Sequence, residues 1–153
     1  AYVVQMGYKR AGWYNWDFIN RLAAPDYFYD SNRSAERIIP ELQNLQEGDR
    51  IYLTPQLGME AEKVQRPDTL MLTGRQNGKY LVVWTYQMRA IDEKTTCLLV
   101  RWSSNQNEGW GLRMLNYLLI EPGGAGIQQS QNLKGIKARA ERDYKQNQMP
   151  RKY

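Results

Sequence analysis

The sequence predicts an α+β domain: a curved antiparallel sheet of about five to six strands, one long C-terminal helix, and short helices near the N-terminus. Three observations carry this expectation. Between residues 49 and 104, apolar residues alternate with polar ones in short runs separated by turn signals, the pattern of an antiparallel meander. Residues 127–146 hold a long apolar stripe at helical spacing. Nearer the N-terminus, helical spacing is confined to short patches cut by Pro25 and Pro40.

The elements follow in order. Phe18, Ile19 and Leu22 are spaced for a short helix over 16–22, which Pro25 ends. Ser34–Arg37 leads into Ile38–Gln43, where Pro40 and the later Gly48 limit any helix to about two turns. Gly48-Asp49 launches a strand over 49–54, with Ile51 and Leu53 alternating against polar neighbours. A charged strand over 59–66 suits a sheet edge, and Pro67-Asp68 turns the chain into a strand over 69–75. Asn77-Gly78 is the strongest hairpin signal. It opens a long strand over 79–91, whose even positions run Tyr80, Val82, Trp84, Tyr86, Met88 and Ala90. Asp92-Glu93-Lys94 returns the chain as a strand over 95–104. After a polar loop at 105–109, Leu112, Leu115, Leu118 and Leu119 resume helical spacing until Pro122–Gly126 interrupts. The final helix is expected from Ile127 to Gln146 with Leu133, Ile136, Ala140 and Tyr144 as its apolar stripe. Gly135 costs such a helix about 1 kcal/mol relative to Ala, so its presence predicts close approach to another backbone. Residues 1–146 read as one domain and 147–153 as a basic tail.

Composition excludes several classes of chemistry. The 153 residues contain no histidine and one cysteine, Cys97. Ser-His-Asp and Cys-His catalysis, histidine metal sites and internal disulfides are therefore ruled out. Acid–base work falls to Asp, Glu, Lys, Tyr or water. No carboxylate cluster has metal-ligand spacing, and Gly123-Gly124-Ala125-Gly126 lacks the Lys-Ser/Thr sequel of a phosphate loop. No metal, cofactor or catalytic residue is assigned. Cys97 is expected as a small buried hydrophobe. No apolar run approaches the ~20 residues of a membrane span, and no leader pattern opens the chain. A cytoplasmic protein, or one peripheral to a membrane, is expected.

The charge of +5 is uneven. Residues 1–132 are balanced, while 133–153 carry seven basic residues against Glu141 and Asp143, the whole surplus. This segment is either a solvated helix face or a contact for an anionic membrane or protein partner. A specific nucleic-acid partner is not expected, because the sheet region is neutral.

Val4-Gln5-Met6-Gly7 and Arg10-Ala11-Gly12-Trp13-Tyr14-Asn15-Trp16-Asp17 resemble the N-terminal signature of one branch of the SRPBCC superfamily, the START-like, polyketide-cyclase-like helix-grip proteins. Arg37–Gln43 with Gly48-Asp49, and Gly135–Arg142, resemble the same branch in the same order. The resemblance implies a sheet wrapped around the C-terminal helix and a cavity for an apolar ligand. It does not imply an enzyme. Such domains open with a strand, and Ala1–Gln5 resembles the helix that follows it. The strand is therefore expected from residues before Ala1, or the open sheet edge is expected to be covered by a second copy or another subunit.

On this reading Arg10–Asp17 roofs the cavity, with Trp13, Tyr14 and Trp16 lining it and Arg10 or Asp17 as a polar anchor. Tyr80, Trp84, Tyr86 and Met88 line it from one strand, and Trp102 from the next. Arg101 is an anion or carbonyl anchor if it points inward. The structural alternative is a capping segment with a paired Arg10 and an ordinary aromatic core. Ser34, Arg37 and Glu41 fit a helix cap and a surface pair better than a site. Three functions follow: a binding or carrier module for a small lipid- or polyketide-like ligand, a cyclase or dehydratase on a polyketide-like substrate, or a subunit docking through its basic C-terminal segment.

Overall fold

A computed structural model describes residues 1–55, 57–76, 78–104 and 126–148. The leucines of 112–119, the stretch 122–125, Asn77 and the tail beyond Gln148 lie outside the described residues. The elements are α1 (Asp17–Ala23), a 3-10 turn (Pro40–Leu42), β1 (Arg50–Tyr52), β2 (Gly58–Gln65), β3 (Thr69–Gln76), β4 (Lys79–Ala90), β5 (Thr96–Ser104) and α2 (Gly126–Gln148). The strands form one curved antiparallel sheet in sequence order, so the architecture is α+β.

Register decides which side chains share a face. Leu70 pairs with Tyr86, Leu72 with Trp84, and on the other side of β4 Trp84 pairs with Trp102 and Met88 with Leu98. Ile51, Met59, Ala61, Leu70, Leu72, Trp84 and Tyr86 are buried, which marks this face as the inner one. The alternation expected along β4 breaks at its start. Gly74 pairs with Val82 but Arg75 with Tyr80, so Leu81 is an extra residue. Such a bulge flips the parity beyond it and turns Tyr80 to the outer face. A second bulge at Glu62, between Ala61 and Lys63, puts that carboxylate on the outer face as well.

The N-terminal segment folds as turns rather than as the expected helix over 1–5. Gly7 and Gly12 adopt positive φ, and so do Lys9 and Tyr14, which are not glycines. Tyr8 N–H donates to Tyr52 of β1, Lys9 N–H to Tyr27, and Ala35 N–H to Ala11. This lattice lays Val3, Met6, Ala11 and Trp13 into one core with the inner face of the sheet.

α2 lies along this segment. A Cβ at Gly135 would overlap the Tyr14 carbonyl, the close backbone approach its position predicts. The expected apolar stripe is only half correct. Ile136 is buried and Leu133 half-buried, but Ala140 and Tyr144 are exposed. The buried face instead carries Asn132 and Ile136, with Arg139, Arg142 and Asp143 half-buried. Its partners are polar: Arg139 Nε donates to the Ala35 carbonyl at 2.8 Å and Tyr2 OH to Asp143 at 2.6 Å. Free backbone carbonyls on the N-terminal segment explain why cations rather than alkyl groups face it. Cys97 is exposed, contrary to expectation, because its odd position on β5 points away from the inner face.

Candidate functional site

Between the first residues of the chain and the inner face of the sheet lies a cavity of about 270 Å³. Val3 and Val4 form one wall. Val64 of β2, Leu70 of β3, Tyr86 and Met88 of β4, and Leu98 of β5 form the other. Cross-strand pairing brings these together: Val64 stands opposite Leu70, Leu70 opposite Tyr86, and Met88 opposite Leu98. Gln43, Gln65, Arg66 and Thr69 make the wall polar at one end. Arg66 belongs to the β2–β3 turn and donates through Nη2 to the carbonyls of Gln43 and Leu45. No α2 residue is among the described lining, so this space lies between sheet and N-terminal segment rather than between sheet and helix.

Of the residues expected to line a cavity, Tyr86 and Met88 do so. The Tyr86 hydroxyl donates to Asn132 Oδ1 at 3.3 Å, and burial pushes its pKa up. Trp84 shares the inner face but is spent on aromatic contacts. It stacks on Trp13 at 5.1 Å between centroids with 5° between planes, and meets Trp102 edge-on at 5.2 Å. Among the described residues the indole Nε1–H groups of Trp13 and Trp84 are buried without a hydrogen-bond acceptor. The Tyr27 hydroxyl, which neighbours the Trp13 indole, donates to the Leu53 carbonyl. Trp102 is 43% exposed and is not among the described lining.

The remaining candidates stand elsewhere. Tyr80 lies on the outer face, where its hydroxyl donates to Glu62 at 3.1 Å and Arg75 packs over its ring. Arg101 is exposed and has the parity opposite to Trp102, so the condition for its use as an inward anchor is not met. Trp16 caps α1 beside Phe18 and is 39% exposed. Tyr14 is buried. Its hydroxyl accepts from Gln5 Nε2 at 2.7 Å, Arg139 stacks on its ring, and burial raises its pKa.

Both proposed polar anchors are held by the fold. Arg10 donates to the carbonyls of Met6, Val4 and Leu42 at 3.0, 2.9 and 3.1 Å. Asp17 accepts from the Ser34 hydroxyl at 2.6 Å and its backbone N–H at 3.0 Å, while Ser34 Oγ accepts from Tyr14 N–H. Ser34 is thus a buried brace between α1 and the Tyr14 turn, not the cap of a helix.

Two polar residues that sequence reasoning passed over organise the site's surroundings. Gln5 is fully buried. It donates to Tyr14 and to the Arg37 carbonyl, and accepts from Ile39 N–H and Gln43 Nε2. Asn132 joins Tyr86 to the Trp13 carbonyl. Nothing in the periodicity of either stretch distinguishes these amides from exposed ones. Among the described residues no group of carboxylates and thiols is arranged to hold a metal, and no helix is long and apolar enough to cross a membrane. On α2, Arg139 and Arg142 pair with Glu36 at 2.5 and 2.7 Å, so part of the basic surplus is neutralised within the fold. No family model, curated protein or solved structure matches the chain.

Proposed function

We propose that this protein is a binding or carrier module for a small hydrophobic ligand, seated between the N-terminal segment and the inner face of the sheet. The observation that carries this reading is the apolar cavity walled by Val3, Val4, Leu70, Tyr86, Met88 and Leu98. Its size bounds the ligand. A cavity of about 150 Å³ admits benzene, so roughly twice that volume suits a fused ring pair or a medium-length acyl chain. Adaptable side chains such as Met88 favour shape-tolerant packing over a single ligand geometry. A five-stranded antiparallel sheet with a C-terminal helix is also the arrangement expected of the helix-grip proteins that the sequence resembles. Membership of the SRPBCC superfamily is part of this proposal.

The cyclase reading draws no comparable support. It asks for two ionisable groups converging on one point of a dry pocket. Arg10, Asp17, Tyr14 and Tyr86 are instead engaged in internal hydrogen bonds, and Arg101 faces away.

Native mass spectrometry of the purified protein against a panel of lipophilic small molecules tests the proposal. Retention of one equivalent is expected, weakened at least about tenfold by Met88→Trp, which fills the space, and by Leu98→Phe as an independent filler. Failure of every panel member to bind, or undiminished binding by both folded variants, would overturn it.

A further inference from the structure

Among the described residues the cavity has one charged side chain on its lining, Arg66, and no carboxylate. The other arginines with resolved contacts near the N-terminal segment and the outer face are committed. Arg37, Arg75, Arg139 and Arg142 each pair with a carboxylate, and Arg10 is used up on three carbonyls. Arg66 differs. It forms no ion pair among the described residues, and its only acceptors are the Gln43 and Leu45 carbonyls, both reached from Nη2. Those two bonds hold the guanidinium at the mouth. Its Nε and Nη1 donors are left without an acceptor among the described residues.

We infer that the ligand is an anionic amphiphile, a medium-chain or aromatic carboxylate, whose head group is bound by Arg66 while its apolar part enters the cavity. A guanidinium held by main-chain carbonyls is preorganised, and planar N–H donors match a carboxylate better than a neutral head group. The neighbouring polar lining, Gln43, Gln65 and Thr69, is uncharged and does not oppose an anion. A cationic head group would meet Arg66 without a compensating carboxylate among the described lining. This inference rests on the cavity being the ligand site, and the test separates the two.

The probes are octanoate, octanol and octylamine, which share a tail and differ in head-group charge. Their affinities are compared at neutral pH by titration calorimetry for the wild type, Arg66→Gln, Arg66→Lys and Met88→Trp. The wild type is expected to bind octanoate about tenfold more tightly than octanol and octylamine most weakly, the advantage shrinking as salt is raised. Arg66→Gln should erase the gap between octanoate and octanol while leaving octanol bound. Arg66→Lys should keep part of it, because it keeps the charge and loses the planar fork. Met88→Trp should weaken both probes together. Equal wild-type affinities for octanoate and octanol, or a gap that survives Arg66→Gln, would overturn the inference and leave the cavity standing. Absence of binding by both probes, or binding untouched by Met88→Trp, would remove the cavity reading and this inference with it.

Discussion

Gln5 shows how a single side chain can hold several segments. Its amide bonds to Tyr14, Arg37, Ile39 and Gln43 tie three stretches of the N-terminal region at one buried point. Gln5→Leu keeps the volume but strands several buried donors and acceptors, so a loss of about 3 kcal/mol is expected by urea denaturation. A loss below about 1 kcal/mol would mean that the partners find water or each other. Residue-scale legibility in the sequence was uneven for a physical reason. Tyr86 and Met88 are placed by strand alternation, a rule that depends only on backbone pleat. Tyr80 escapes it because one extra residue, Leu81, resets the alternation, and no side-chain pattern announces a bulge. The location of Arg66 against the cavity is equally invisible, since it depends on where residues 43–45 pass.

At the scale of elements, the strands and both helices were legible because alternation, turn residues and helical spacing are local signals. The contents of α2's buried face were not. Hydrophobic spacing selects Leu133, Ile136, Ala140 and Tyr144, yet the helix meets a backbone rich in free carbonyls and turns Asn132, Arg139 and Arg142 toward it. Gly135 is the position where sequence and structure agree most closely, and it yields a signed prediction. Gly→Ala inside an exposed helix stabilises by about 1 kcal/mol. At Gly135 the added methyl would overlap the Tyr14 carbonyl, so Gly135→Ala should instead destabilise by about 2 kcal/mol. Thermal denaturation checks the sign, with the exposed Ala138→Gly as a control that should lose about 1 kcal/mol. A stabilised Gly135→Ala would show that α2 does not sit against the Tyr14 turn.

For the whole molecule, the sheet, the N-terminal segment and α2 share a set of buried phenols. Burial, reinforced by its bond to Asp143, pushes the Tyr2 pKa up to about 12, and burial raises Tyr14, Tyr27 and Tyr86 as well. Each of these keeps its proton longer when folded than when unfolded. Their contribution to stability is therefore complete below about pH 10, the ordinary tyrosine value, and declines as pH rises through the folded values. Ionisation of this buried set, followed by tyrosinate absorbance, should accordingly come only as the fold is lost. Complete tyrosinate formation with circular dichroism unchanged would contradict the packing described. The central claim, that an apolar ligand enters the space beside Met88, is tested most directly by methyl NMR of 13C-methyl-methionine protein titrated with octanol. The Met88 methyl resonance, assigned through Met88→Leu, should shift progressively, while those of Met6 and Met59, buried outside the cavity lining, hold still. Octanol binding that leaves the Met88 methyl unmoved would contradict the account.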